Sequence, residues 1–298
     1  KHYIARLAHK FNVDDDGQVV KNPSIYGKKY TPEMLPSTPK EKEEAARLPM
    51  QKLVGSLIYV TKTRYDVAYQ VSDVARFMTS WGKEHFQSAL RILRDQSLII
   101  SPDRDVELSL CAYADANWMD PRETEGLDDK WKPQYGYLVF LGNVLVSWIS
   151  KRLSCRTLST MESEYYAASE CCKELLWIRA LLAELGMAQQ SATVMYEDNA
   201  ACISYSKNNT CHARTKHIDN RAYKLRDSVI AGDITLVHVG TDHQLADMLT
   251  KTMLLNTFTN HIERINEGDI KPPNTTKNTK HKVVPNCLCI SCWCKGKN

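Results

Sequence analysis

No run of eighteen apolar residues occurs in the chain, and no short apolar stretch has the basic flank of a signal segment. Neither a membrane-spanning helix nor secretion is therefore expected. An initiator Met is also lacking, and the sequence opens inside what reads as a helix, so it is expected to be a piece of something longer. Charge of one sign does not dominate. With 39 Lys and Arg against 35 Asp and Glu, the net charge is +4 and the pI about 8.4, a lean towards polyanions that decides nothing alone. The ten cysteines do not form one scaffold. Cys111, Cys155, Cys171, Cys172, Cys202 and Cys211 are scattered through apolar or helical stretches, as reduced thiols of an intracellular protein are. An intracellular setting is expected. What is present suffices for a core: 43% of the residues are hydrophobic in a chain long enough for one large domain or two modest ones.

Along the chain the period changes once. Residues 1–13 place Tyr3, Ile4, Leu7, Ala8 and Phe11 at helical spacing, and Asp14-Asp-Asp-Gly17 stops that helix. Residues 18–38 carry Pro, Gly and Lys without sustained period and read as a connector. Helices resume at 41–46, 53–78 and 83–98, the second interrupted at Thr63-Arg-Tyr-Asp66. From Val106 the period is two. Strands are expected at 107–114, 135–141 and 144–150, the last two joined by a Gly142-Asn143 turn. Residues 121–133 are polar and turn-rich, hence a long loop. Ser159-Thr160 should start a helix running to about Leu185, with Gly186 as its stop. Then come a strand at 193–196, helices at 199–206 and 214–231, a strand at 234–239 and a last helix from about His243. That order argues an α/β fold, a five-stranded mixed sheet flanked by helices, behind a mainly helical segment.

Four acids fall at comparable places on this layout. Asp115 closes the first strand, between the small residues Ala114 and Ala116, and Glu164 lies one turn into the long helix. Asp198 follows the fourth strand, and Asp247 falls in the last helix. Hydrolysis of a phosphodiester without a covalent intermediate calls for such a set, since carboxylates can hold two Mg²⁺ ions about 4 Å apart. Glu162 rivals Glu164 but lies on another face of the helix. Glu197 neighbours Asp198 and should point the opposite way from it.

Several motifs carry a resemblance. They are Tyr113-Ala-Asp-Ala-Asn-Trp118, Gly136-Tyr137, Val146-Ser-Trp148, Ser150-Lys-Arg152, Leu158-Ser-Thr-Met-Glu-Ser-Glu-Tyr165, Tyr196-Glu-Asp-Asn199, His212-Ala-Arg-Thr-Lys-His-Ile-Asp219 and Gln244-Leu-Ala-Asp-Met-Leu-Thr-Lys251. In this order they closely resemble the ribonuclease H domain of copia-type LTR retrotransposon Pol polyproteins. Leu53-Val-Gly-Ser-Leu-Ile-Tyr59, Thr63-Arg-Tyr-Asp66 and Arg76-Phe-Met78 resemble the segment that joins reverse transcriptase to that nuclease. The resemblance covers roughly residues 1–265. It implies a ribonuclease H-like fold and metal-dependent cleavage of the RNA strand of RNA/DNA hybrids. Its four metal-holding acids map onto Asp115, Glu164, Asp198 and Asp247, with two Mg²⁺ or Mn²⁺ as cofactors. The implied partners are the hybrid and the polymerase part of the same polyprotein, with no membrane. The chain departs from the family at Lys132-Pro-Gln-Tyr135, where a Ser/Thr-rich run is usual, and at Asn117, where Asp is common. It also lacks the Tyr-x-Asp-Asp run of the polymerase, so this piece is not expected to polymerise DNA.

The remaining candidates concern substrate. Lys151, Arg152, Arg214, Lys216 and Lys251 could line a track for nucleic-acid phosphates, with polar groups reading the 2′-OH. His243, four residues before Asp247, could shuttle protons or help product leave. His212 and His217 are expected to position structure or substrate. The division read from sequence is a helical connection over 1–100, the nuclease over 105–265 and a basic tail over 266–298. The tail ends in Cys287-x-Cys-x-x-Cys-x-Cys294, too tightly spaced for the usual zinc arms, and is expected to be disordered. Two other classes stay open: a non-catalytic hybrid-binding or assembly module, and an integrase-like nuclease, which would use three acids rather than four.

Overall fold

The computed structural model describes residues 2–13, 20–28, 30, 32–94, 106–118, 132–207 and 220–272. Alternating apolar residues from Leu110 onward form a five-stranded sheet. Its strands are β1 (Leu110–Asn117), β2 (Gln134–Leu141), β3 (Val144–Arg152), β4 (Thr193–Glu197) and β5 (Ile234–His238), in the order β3-β2-β1-β4-β5. β1, β2 and β3 are an antiparallel meander, while β4 and β5 run parallel to β1. The crossover from β3 to β4 is made by one long helix.

Helices before the sheet are α1 (His2–Lys10), α2 (Pro39–Arg47), α3 (Met50–Val60), α4 (Ala68–Ala75) and α5 (Lys83–Ile92). The crossover is α6 (Thr160–Glu184), followed by α7 (Ala200–Lys207), α8 (Asn220–Ile230) and α9 (Leu255–Glu267). Three antiparallel strands, a helical crossover and two parallel strands are the ribonuclease H-like arrangement. Thr63–Asp66 does interrupt the helical run: a 3-10 turn at Tyr65–Val67 separates α3 from α4, with the Arg64–Asp66 ion pair buried beneath it.

α6 begins where the sequence placed it. The Ser159 side chain accepts from the Glu162 amide at 3.2 Å, and the Glu162 carboxylate accepts from the Leu158 amide at 2.7 Å. The first contact satisfies an amide that the first helical turn leaves free, and the second ties the residue before the cap to the helix. Gly186, at φ 79°, takes the left-handed conformation that ends the helix.

Period two sorts β1 between two cores. Leu110, Ala112, Ala114 and Ala116 pack with Tyr165, Ala168, Cys172 and Leu175 of α6. Tyr113 faces the other way, with Leu138, Phe140, Leu245, Leu249 and Phe258, and that second core also takes in Tyr65 and Ala68. A third core, built around Leu7, Leu53, Leu57, Val71 and Ile92, holds the N-terminal helices together.

Two expectations are corrected. The segment after β5 is not an α-helix from His243: it forms 3-10 turns at Thr241–His243 and Leu245–Leu249, and α9 starts only at Leu255. Every residue from Gln244 to Thr250 is buried, and the polar ones, Gln244, Asp247 and Thr250, recur at the three-residue spacing that a 3-10 turn stacks on one face. The folded unit also runs past residue 265. Ile270 is 3% exposed in the second core, and its carbonyl accepts the Tyr113 hydroxyl. The Asp14–Gly17 stop, the loop over 121–131, His212, Arg214, Lys216, His217 and the cysteine tail lie outside the described residues.

Candidate active site

β1 and β4 pair only as far as Tyr113 and Tyr196, and beyond that point the two parallel strands part. The gap leaves backbone groups of β1 facing open space, and side chains from elsewhere take them up. The Glu164 carboxylate accepts from the Ala116 amide at 2.7 Å, and Gln244 Nε2 donates to the Ala114 carbonyl at 2.9 Å. Both contacts satisfy buried polar groups that would otherwise carry a desolvation cost. They also bring α6 and the segment after β5 to the end of β1.

The acids gather at that gap. Asp115, Glu164 and Asp198 each offer a carboxylate oxygen, and the three lie within 4.8 Å of one another. Asp115 and Glu164 are buried and Asp198 is half-buried. Asp247 stands against Asp115 from the 3-10 turn, itself 4% exposed. Burial, and then the charge of Asp115, raises its carboxyl to about 8. Burial and the neighbouring Asp115 likewise hold Glu164 well above the usual carboxylate range. Asp115 is raised by burial, against the opposing pull of Lys251 and Thr250. Several carboxylates cannot all be charged in a dry space without a counter-charge, so the cluster is built to receive cations or protons.

Glu162 is committed to the helix start and Glu164 to the cluster. Glu197 differs from expectation. Its side chain leaves β4 on the α6 side, as strand alternation requires, yet its carboxyl ends fully buried where the charges of Asp115 and Asp198 act on it. Its Oε1 accepts from the Asn199 amide at 3.1 Å, fixing the turn that carries Asp198. Thr241 Oγ1 holds Asp198 from the other side at 3.0 Å.

Sequence reasoning missed Thr250 and Gln244. The Thr250 hydroxyl donates to Asp115 Oδ2, and Gln244 anchors the 3-10 segment. Both stand in the Gln244–Lys251 motif, the one signal that singled them out. Gly136, of the Gly136-Tyr137 motif, is required by close packing. It pairs with Asp115, and a Cβ there would lie 2.5 Å from Leu249 Cβ and 3.3 Å from Thr250 Cγ2. Only glycine lets the 3-10 segment come close enough to place Thr250 and Asp247 on Asp115.

The other candidates are dispersed. Lys151 is exposed at the end of β3, and Arg152 donates to the Lys132 carbonyl. His243 is half-buried on the first 3-10 turn, and its ring makes no hydrogen bond to the acids among the described residues. Lys251, expected on an open track, instead lies 2.8 Å from Asp247 Oδ2.

No family model matches the chain. Individual proteins do. Over 260 residues the chain is 36% identical to the retrovirus-related Pol polyprotein from transposon TNT 1-94 of Nicotiana tabacum, taking in 86% of this chain and 19% of that one. It is 35% identical over 226 residues to the corresponding polyprotein from transposon RE1 of Arabidopsis thaliana, covering 74% of this chain and 15% of that one. The transposon Ty1-H Gag-Pol polyprotein of Saccharomyces cerevisiae is 25% identical over 218 residues, 70% of this chain and 12% of that one. This chain is a homologue of one segment of the Pol polyproteins of copia-type transposons, and it spans about a fifth of the length of the first of these relatives.

Among solved structures, the N-terminal RNase H domain of Rv2228c from Mycobacterium tuberculosis overlaps 54% of this chain and 99% of its own, at 11% identity and a TM-score of 0.34. RNase H1 from Halobacterium salinarum overlaps 48% and 94%, at 13% identity and a TM-score of 0.33.

Proposed function

We propose that the chain is a divalent-metal-dependent ribonuclease H that hydrolyses the RNA strand of RNA/DNA hybrids during reverse transcription. The observation that carries the reading is the convergence of Asp115, Glu164 and Asp198, from three separate elements, to within 4.8 Å. The donor set fits a hard cation, being all carboxylate oxygen and largely buried. Oδ1 of Asp247 and Oε2 of Glu197 are buried beside it without a hydrogen-bond donor. Asp115, Glu164, Asp198 and Asp247 would hold the ions. When bound, the ions supply activation of water and charge stabilisation at the phosphate and leaving oxygen.

The chain's own groups do the rest. Thr250 and the 3-10 segment orient Asp115, Thr241 and the Glu197-braced turn orient Asp198, and the Ala116 amide orients Glu164. Lys151 and Arg152, together with Arg214 and Lys216, are assigned to the phosphates of the hybrid, whose backbone supplies most of the non-specific affinity. His243 is assigned to product departure. The polymerase part of the same polyprotein is the proposed partner, and the setting is the element's intracellular replication particle. The first 100 residues are assigned to the connection that joins the two activities.

Cleavage of a labelled RNA/DNA hybrid with and without Mg²⁺ tests this. Asp115→Asn and Asp198→Asn are each expected to lower the rate by at least about a hundredfold, the scale seen when one stabilising group of an active site is lost, with circular dichroism unchanged. Undiminished cleavage by either variant removes the assignment, and hybrid binding without any cleavage by the wild type favours a non-catalytic module.

A further inference from the structure

The four acids do not form one symmetrical set. Asp115, Glu164 and Asp198 converge around a shared space, whereas the Asp115–Asp247 side already holds donors. Asp115 Oδ2 accepts the Thr250 hydroxyl, and Asp247 Oδ2 takes the Lys251 ammonium at 2.8 Å. Thr250 and Lys251 are consecutive, so one turn of chain fills that side with a hydroxyl and a positive charge. The Lys251 side chain is 40% exposed while Asp247 beneath it is 5% exposed, so the ammonium covers the acid from the solvent side. The same charge acts on Asp115 and Asp198. Oδ1 of Asp247 stays buried with no donor of its own.

We propose that Lys251 is a built-in counter-cation of the Asp115–Asp247 side, so that one divalent ion enters readily at Asp115, Glu164 and Asp198 while a second binds only by displacing the ammonium. This rests on the metal-dependent reading above and goes beyond it by assigning the two ions unequal affinities and naming the residue that makes them so. Lys251 touches neither substrate nor reacting atoms in this role. It is a positioning residue that keeps the acids together when the second ion is absent and yields its place when it arrives.

Metal binding reads this directly, without turnover. The intact chain, free of nucleic acid, is titrated with Mn²⁺ by calorimetry and by electron paramagnetic resonance, alongside Lys251→Met, Lys251→Arg and Asp115→Asn. The wild type is expected to bind one ion well and a second weakly. Lys251→Met should tighten the second site on the order of tenfold, equivalent to about 1.4 kcal/mol, and the first by less. Lys251→Arg, which keeps the charge, should follow the wild type. In chelator, Lys251→Met should melt below the wild type and recover more on addition of Mn²⁺, which also shows that it folds. Equal second-ion behaviour in wild type and Lys251→Met, whether two equal affinities or one ion only in both, overturns the role of Lys251 and leaves the metal site standing. Mn²⁺ binding that Asp115→Asn leaves intact, or no binding by the wild type, overturns both.

Discussion

Asp247 shows how one side chain can work against the fold in order to serve a site. Its carboxyl rises from 3.8 to about 8 because burial and Asp115 both disfavour its charge. The folded state therefore holds a proton that the unfolded state has released between those values, and stability falls as pH rises through that window. In chelator, melting temperature is expected to drop as pH goes from about 4 to about 8, and Asp247→Asn should flatten that slope. Added Mn²⁺ or Mg²⁺ should raise the wild type most at the upper end, since only deprotonated carboxylates bind it. An unchanged slope in Asp247→Asn would place the titration elsewhere. At this scale the acids were legible, because a carboxylate at the end of a strand or one turn into a helix is a local pattern. Thr250, Gln244 and Glu197 were not. Each matters through a partner distant in sequence or through a depth of burial that strand alternation alone does not give: Thr250 meets Asp115 across 135 positions.

The strands and the long helix follow from short-range rules, and their observed bounds differ from the expected ones by a few residues at most. β1 is displaced towards its C-terminal end, so Asp115 lies inside it, opposite Gly136, rather than after it. The 3-10 segment defeated periodicity for the reason that makes it useful: its polar residues Gln244, Asp247 and Thr250 recur every third position and turn inward to the site, a spacing that an α-helix and a 3-10 turn share. Two substitutions test the elements separately. Gly136→Ala forces a methyl group against Leu249 and should cost about 1–3 kcal/mol by overpacking, with hybrid cleavage falling further than stability explains because Asp247 moves off Asp115. Ser159→Ala removes the cap of α6 and should cost about 1 kcal/mol, read as a lowered midpoint in urea, with cleavage largely kept. Equal effects of the two on activity would deny the 3-10 segment its special place.

Across the whole molecule, the N-terminal helices are not a separate body. Trp148 of β3 donates its indole N–H to the Thr61 carbonyl at 2.8 Å, Gln134 of β2 reaches Ser72 at 3.1 Å, and the Tyr65 hydroxyl donates to Asn266 of α9 at 2.9 Å. Tyr65 and Ala68 also complete the second core. Sequence marked a change of period near Val106 and suggested a boundary there, but a change of secondary structure need not divide a core. A chain beginning at Val106 is expected to bind a hydrophobic dye and to melt at least several degrees below the full protein, the response to losing a few kcal/mol. An unaltered melting temperature would show that the RNase H-like half stands alone.

The parting of β1 and β4 after Tyr113 has a consequence in time as well as in space. Hairpins such as β2–β3 can close early, because little chain entropy opposes them. The end of β1, by contrast, stays incomplete until a segment more than a hundred residues later arrives to supply Gln244 and Thr250. Of the contacts in this chain, those around Asp115 are among the last expected to form during refolding. A nascent or misfolded copy would present scattered carboxylates, so the acidic cluster would come into being only once the segment around Gln244–Thr250 had docked.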